Sequence, residues 1–142
     1  MNTYTTLDQS KRLVELGVKS TTADGVYAAK IRDWSGKEIS DPRYRLQVSS
    51  FPGKFVVQNF EEIDEIPAWS FGNLLYQLPG SITVDNFSYD LVYIPSTKTI
   101  SYVLEETNHA LVSFFVDSDP YENIISCIDW LVNVIGENFN GN

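Results

Sequence analysis

The chain has 142 residues, of which 43% are hydrophobic, 13% aromatic and 20% charged. This length fits one domain, residues 1–142, and the apolar fraction supports a hydrophobic core, which excludes a disordered chain. No apolar run approaches the ~18 residues of a membrane helix, so we expect no membrane span. The start, residues 1–8, has neither the basic residues nor the apolar stretch of a signal peptide, so we expect a cytoplasmic protein.

The cysteine count and the charge distribution exclude further classes of protein. The single cysteine, Cys127, excludes an intramolecular disulfide framework and a Cys-rich zinc module. The net charge is −9, but residues 1–54 hold nine of the ten Lys and Arg with six acidic residues, whereas residues 55–142 hold only Lys98 with thirteen acidic residues. Because phosphates must be neutralised by Lys and Arg, we expect no direct nucleic-acid binding by the C-terminal part. The imbalance is compatible with a basic partner.

The first elements are a helix and a short turn. Thr6 and Gln9 fit a capping box, which predicts a helix over about residues 7–16 that ends at Gly17. Residues 20–24 predict a single turn or short helix. Residues 26–34 fit a strand or a helix, and residues 35–37 fit a turn.

Two strands and an acidic segment are expected next. Over residues 43–48, Tyr44, Leu46 and Val48 alternate with Arg43, Arg45 and Gln47, which predicts a half-buried strand with a basic outer face. Residues 55–57 form a second strand candidate. Residues 61–65 are expected to be an acidic loop.

The middle of the chain predicts a helix and a β-hairpin. Apolar residues at helical spacing predict a helix over about residues 70–78, which Pro79 and Gly80 end. Alternating apolar residues predict a hairpin at about residues 87–105. Residues 110–116 are apolar at nearly every position, which predicts a strand covered on both faces.

The C-terminal region predicts a long helix over residues 119–136. Asp119 is the expected N-cap, Pro120 fits the first position, and Glu122 fits a capping box. The apolar face spans roughly 220°, whereas a helix on a sheet needs little more than ~100°. The excess requires another helix, loops or a second copy of the chain. The elements together predict an α+β fold, with a mostly antiparallel sheet against this helix.

No residue pattern predicts catalysis, a cofactor or a metal site. His109 is the only histidine and follows a polar stretch, so we interpret it as an exposed loop residue. Cys127 lies in the apolar arc of the last helix, where burial disfavours a thiolate. The acidic segments lack the spacing of a calcium loop, and neither phosphate-binding glycine motif occurs.

Tryptophans are the candidate interface residues. Trp34 beside a turn, Trp69 before a helix and Trp130 in the last helix could each anchor a protein contact, because large rigid rings give contact area at little entropic cost. The alternative for Trp34 and Trp69 is a loop ring folded over the edge of the core.

Several segments resemble one family. They are residues 9–17, 20–24 and 66–70, the pairs Leu74-Leu75 and Leu78-Pro79, and the run from Asp119-Pro120-Tyr121-Glu122 to Trp130-Leu131. These stretches, about a third of the chain, resemble small uncharacterised proteins encoded by phage-like and conjugative elements of gut anaerobic bacteria. The resemblance implies a bacterial cytoplasmic setting and an accessory role. It implies no activity, cofactor or catalytic residue.

Three functional hypotheses follow. The leading one is a non-enzymatic cytoplasmic protein-interaction module that binds an unknown protein partner, with self-association through the broad apolar helix as one form of it. The second is an acidic decoy that inhibits a nucleic-acid-binding protein, which requires carboxylates along one surface. The third is a metal-dependent hydrolase, which requires two of Asp64, Glu105, Glu106 and Asp117 to converge in a cleft.

Overall fold

The computed structural model describes residues 2–48, 62–115 and 117–137. In this part of the chain, three helices and seven strands form an α+β fold with two antiparallel sheets, which confirms the predicted fold class. The helices are α1 (Leu7–Leu16), α2 (Phe71–Tyr76) and α3 (Pro120–Trp130). The strands are β1 (Gly25–Arg32), β2 (Arg45–Gln47), β3 (Glu62–Ala68), β4 (Ser81–Val84), β5 (Phe87–Ile94), β6 (Thr99–Leu104) and β7 (His109–Phe114).

The predicted capping box begins α1. The Gln9 amide donates to Thr6 Oγ1 at 3.2 Å, and the Thr6 amide donates to Gln9 Oε1 at 3.0 Å, so two helix-end donors are satisfied. Gly17 ends the helix with φ of +91°, a left-handed conformation that glycine adopts without a Cβ clash. Residues Ser20–Thr22 then form one 3-10 turn, as predicted.

The first sheet has the order β2-β1-β3. Its strand β1 settles the strand-or-helix alternative for residues 26–34. The acidic loop expected at residues 61–65 is wrong over the described residues, because Glu62 begins β3, which pairs with β1 along seven residues. The charges are accommodated by distant partners: Glu62 pairs with Arg32 at 2.8 Å, and Asp64 accepts a hydrogen bond from Tyr44.

Strand β2 is shorter and more exposed than predicted. The alternation of the segment is correct, since Arg45 lies opposite Ala28 and Leu46 lies opposite Tyr27. Half-burial is wrong, because Leu46 is 41% and Val48 75% exposed, and β2 is an edge strand of the described sheet. The strand predicted at residues 55–57 lies outside the described residues.

The second sheet is a meander, β4-β5-β6-β7. Strands β5 and β6 confirm the hairpin predicted at residues 87–105. Full coverage of residues 110–116 is wrong for the described positions, because β7 lies at the sheet edge and Ala110 and Leu111 are exposed. Helix α2, capped by the Ser70 hydroxyl, confirms the helix predicted near residues 70–78, although it is shorter.

Helix α3 starts as its sequence predicts. Asp119 accepts from the Tyr121 amide at 3.0 Å, and Pro120 is the first helical residue. The helix continues through a π-helical turn, Leu131–Ile135, to Gly136. The capping box expected at Glu122 is wrong, because Glu122 forms an ion pair with Arg12 at 2.8 Å while Asp117 accepts from the Asp119 amide.

Hydrogen bonds of the Asn123 side chain connect the start of α3 to the second sheet. Its side-chain amide donates to the carbonyls of Lys98 at 3.0 Å and Asp117 at 2.9 Å, and its oxygen accepts from the Asp117 amide at 3.2 Å. The residue is only 2% exposed, so its own side-chain amide is satisfied by these backbone groups rather than by water. Helix α3 therefore begins at the end of the sheet that carries the β5–β6 turn.

The chain itself covers the broad apolar face of α3. Ile124, Ile125 and Ile128 are at most 1% exposed, and the helix packs against α1, α2 and strands β6 and β7. Over residues 124–128 the apolar arc is thus covered within the chain, with other helices as one of the three alternatives, whereas Val134 near the C-terminal end is 68% exposed. Among the described helices, none combines the length and apolar character needed to cross a bilayer.

Candidate interaction surface

The three tryptophans occupy different environments. Trp34 is 69% exposed, Trp69 is fully buried and Trp130 is half-buried. Trp69 is therefore a core residue, as its alternative interpretation stated. Its indole N–H donates to Thr22 Oγ1 at 2.9 Å, and its backbone amide donates to Thr5 Oγ1 at 3.1 Å.

Trp130 belongs to the packing between α3 and the second sheet. Its ring stacks on Tyr102, with ring centroids 6.2 Å apart, and meets Phe114 edge-on at 6.1 Å. Such aromatic pairs stabilise the folded chain beyond the area they bury. Trp34 is thus the one tryptophan of the described residues that presents most of its ring to solvent.

Trp34 lies in a tightly hydrogen-bonded turn after β1. The turn is closed by a bridge between Arg32 and Glu38 and by the Ile39 amide, which donates to the Ile31 carbonyl at 2.9 Å. We call residues 32–38 the Trp34 turn. Its end residues are therefore extended and paired, and Trp34 lies near the tip.

Asp33 organises the interior of the Trp34 turn. Its Oδ1 accepts from the Ser35 hydroxyl at 2.6 Å, the Ser35 amide at 2.9 Å and the Lys37 amide at 3.0 Å. These hydrogen bonds, above all that from the Ser35 hydroxyl, lower the pKa of the Asp33 carboxyl. Gly36 supplies a φ of +85°, which a side chain would strain. The backbone that carries Trp34 is consequently ordered by the turn's own hydrogen bonds.

A groove of about 580 Å³ lies on the outward face of the first sheet. Its lining includes two aliphatic and four polar side chains, namely Ile39, Ile63, Lys30, Arg43, Arg45 and Gln47. Directly opposed residues of antiparallel strands share a face, and Arg45 is opposite Ala28 while Ile63 is opposite Lys30. Three basic residues, Lys30, Arg43 and Arg45, outnumber Asp41 among the described lining residues, and Glu65, opposite Ala28, lies on the same face.

The reverse face of this sheet is turned towards α1. Tyr27 donates to the Thr5 carbonyl at 2.8 Å, and Lys11 of α1 lies 5.9 Å from the ring centre of Tyr44. Tyr44 donates to Asp64 at 2.5 Å, and this hydrogen bond, with burial and the carboxylate charge, raises the pKa of Tyr44 to about 12. The groove is therefore on the side of the sheet that α1 does not occupy.

The groove and the Trp34 turn are neighbours along the chain, and we call the two together the Trp34 surface. Lys30 lies two residues before the turn and Ile39 one residue after it, and both line the groove. Trp34 is four residues from Lys30, which is at most about 13 Å along an extended chain. Trp34 and the basic face of residues 43–47 are visible in the sequence, whereas Lys30 and Ile39 reach the groove only through strand pairing and the closing of the turn.

Residues considered for catalysis stay apart or buried. His109 is exposed at the start of β7. Cys127 is fully buried, and burial raises its thiol pKa to about 12, as its position in the apolar arc predicts. Asp64 lies on β3, Glu105 and Glu106 in the turn after β6, and Asp117 before α3. Across residues 2–48, 62–115 and 117–137, no three His, Cys, Asp or Glu side chains are grouped so that they could hold a metal ion.

The acidic side chains of the C-terminal part do not lie on one element. Glu62, Asp64 and Glu65 belong to β3, Asp90 lies on β5, and Asp129 is on the exposed side of α3. A decoy for a nucleic-acid-binding protein needs carboxylates in a row with phosphate-like spacing, roughly 7 Å. This distribution over both sheets and a helix does not favour that hypothesis.

Comparisons of the chain with models of known families, with curated proteins and with solved structures find no match. The resemblance to proteins of mobile elements stays a prediction. Function is therefore inferred from the residues and their arrangement alone.

Proposed function

We propose that this protein is a non-enzymatic interaction module that binds a protein partner through the Trp34 surface. The observation that carries the proposal is a tryptophan 69% exposed on a turn that is ordered by its own hydrogen bonds. Exposing a large ring costs solvation free energy, whereas a backbone that is ordered before binding loses little conformational entropy when a partner covers it. Tryptophan and arginine are the residue types enriched among those that dominate binding energy.

The chemistry of the surface defines the partner. Arg43 and Arg45 attract carboxylates, and Arg can hold a carboxylate with two parallel hydrogen bonds. Ile39 and Ile63 add apolar side chains to the lining of the groove. The matching surface on a partner is acidic and contains an apolar pocket for one aromatic ring.

A displayed library of random peptides tests this proposal. We expect peptides selected on the wild-type protein to be rich in Asp, Glu and apolar residues, and to bind the Trp34→Ala variant at least about tenfold more weakly. The variant with Arg43→Glu and Arg45→Glu should lose binding as well. Tyr76→Ala is the matched control, since Tyr76 is an aromatic residue 87% exposed on α2. Selected peptides that bind Trp34→Ala as well as wild type would refute the proposal.

The two alternatives receive less support. The hydrolase needs converging carboxylates, and of the four named for it Glu105 and Glu106 share the turn after β6, whereas Asp64 lies on β3 and Asp117 before α3. The decoy needs one carboxylate-lined surface. We also propose a cytoplasmic, accessory role in a bacterium, on the resemblance of residues 9–17, 20–24 and 66–70 to proteins of mobile elements.

A further inference from the structure

Strand β7 is an edge strand of the second sheet, because within the part of the chain that the structure describes it pairs with β6 alone. In an edge strand, every second residue points its N–H and C=O groups away from the sheet, where they can pair with another strand. The side chains agree with an open edge. Leu111 is 37% and Phe115, just beyond the strand, 61% exposed, whereas Tyr102 of β6 is fully buried. What β7 presents therefore fits an extended polypeptide backbone.

The edge of β7 lacks the charges that commonly protect such a strand. Edge strands are kept from pairing by charged residues, by proline or by a bulge. No Asp, Glu, Lys, Arg or Pro occurs over residues 107–115. A bulge does interrupt the pairing with β6, and Leu111 is its extra residue. From Val112 to Phe114 the register is continuous, so this part of the edge can accept another strand.

Acidic residues flank this uncharged run on both sides. Glu105 and Glu106 precede it, and Asp117 follows it. Two chains that each carry a net charge of −9 repel each other, and like charges directly opposite in a strand pair are destabilising. In an antiparallel pair of two β7 strands centred on Ser113, Asp117 lies opposite His109 of the second copy, and residues 105 and 106 lie beyond the paired run. This register sets no carboxylate against another.

We propose that two copies of this chain pair antiparallel through β7, with the two-fold axis at Ser113. The register places Leu111 opposite Phe115 of the second copy, so the two most exposed large apolar side chains of this run cover each other. Phe114, whose ring meets half-buried Trp130 of α3 at 6.1 Å, lies opposite Val112 of the second copy. The two four-stranded sheets then continue into one. Strand β7 is not part of the Trp34 surface, so the inference goes beyond the proposed function.

The contact is self-complementary, because the same strand is used by both copies. Such a two-fold contact closes at the dimer, unlike a head-to-tail contact, which forms rings or chains. Pairing of about five residues on each copy is a small interface, so the association is weak, with a Kd from about 10 µM to 1 mM.

Analytical ultracentrifugation of the full chain tests the association. We expect the average mass of the wild-type protein to rise with concentration and to approach twice the monomer mass near 1 mM, on the order of the weakest expected Kd. Phe115→Lys places a charge against Leu111 of the second copy and should weaken association at least about tenfold. Leu111→Lys replaces it if circular dichroism shows that the first variant is poorly folded. Tyr76→Lys is the matched control, because it exchanges an aromatic residue 87% exposed on α2 for the same charge.

A cysteine at the axis tests the register. A residue on the two-fold axis lies opposite itself, with about 4.5–5.5 Å between the Cα atoms, a separation that a disulfide can span. Ser113→Cys should therefore oxidise to a covalent dimer at least about tenfold faster than Ser88→Cys, an exposed position on β5. The native Cys127 is fully buried, so the wild-type protein should form no cross-link.

Each outcome decides the inference. A wild-type protein that stays monomeric at about 1 mM overturns it and leaves the peptide selection on the Trp34 surface as an independent result. Association that Phe115→Lys weakens no more than Tyr76→Lys also overturns it. Association without faster cross-linking of Ser113→Cys than of Ser88→Cys overturns the pairing about Ser113. Trp34→Ala should associate as the wild type does, and loss of association in that variant would contradict the assignment to β7.

Discussion

Asn123 is the residue whose replacement should expose most clearly how α3 is held. Replacing it with aspartate keeps the size of the side chain but removes two N–H donors, which now satisfy the carbonyls of Lys98 and Asp117. A buried carbonyl left without a donor costs about 1–3 kcal/mol. Since Asn123 is 2% exposed, the new carboxylate is also desolvated beside those carbonyls. We expect the free energy of unfolding at pH 7 to fall by about 3 kcal/mol or more.

Urea and thermal unfolding followed by circular dichroism measure this effect. A loss of 3 kcal/mol lowers the Tm of a chain of this length by about 10 °C. Burial raises the pKa of the new carboxyl in the folded state above its unfolded value, so the deficit relative to wild type should shrink as pH falls from 7 towards 4. Ser126→Asp adds the same charge on the exposed side of α3 and should change stability by less than about 0.5 kcal/mol. Equal stability of Asn123→Asp and wild type would refute this account of Asn123.

Further predictions concern the tryptophans, the thiol and a phenol. Trp34→Ala should change the free energy of unfolding by less than about 0.5 kcal/mol, because the ring is mostly exposed. Trp69→Phe should lower it by about 2 kcal/mol, because it removes a hydrogen bond and leaves a cavity. Similar values for the two variants in urea unfolding would contradict the assigned environments. Burial raises the pKa of the Cys127 thiol to about 12. We therefore expect this thiol to react with an aromatic disulfide at least a hundredfold more slowly in the native protein than in urea. Comparable rates would show that the thiol is accessible in the native protein. The pKa of Tyr44 is raised to about 12 in the folded state. Its contribution to the free energy of unfolding should therefore be complete below pH 10 and be lost as the pH rises through 12. If the stability of Tyr44→Phe depended on alkaline pH as that of the wild type does, this prediction would be contradicted.

Elements with local signals were predictable from the sequence. The capping box of Thr6 and Gln9, the N-cap Asp119 and the alternation of residues 87–104 each act within a few positions, and the structure confirms the elements they predict. Such signals are reliable because capping and hairpin pairing satisfy backbone groups close in sequence.

Elements that depend on distant partners were not predictable. Strand β3 was interpreted as an acidic loop, because its charges find their partners Arg32 and Tyr44 about 20 to 30 residues away. The exposure of β7 follows from its place at the edge of the sheet, which its own apolar residues do not reveal.

In the candidate site, too, some features are visible in the sequence and others depend on distant strands. Trp34 and the alternation that places Arg43 and Arg45 on one face are visible in the sequence, but the groove exists only because β1 lies between β2 and β3. Trp69 was a candidate beside Trp34, since a position before a helix does not say which way the ring points. Its burial depends on Thr5 and Thr22, which lie far from it in sequence.

The indole N–H signals in a ¹H–¹⁵N NMR spectrum test the proposed contact most directly. Trp34→Phe assigns the signal of Trp34, and a peptide selected on the wild-type protein is then titrated in. We predict that the Trp34 signal shifts progressively, while that of Trp69, which is buried and hydrogen-bonded to Thr22, keeps its position. A Trp34 signal that stays in place while the peptide binds would contradict the assignment of the Trp34 surface as the site of interaction.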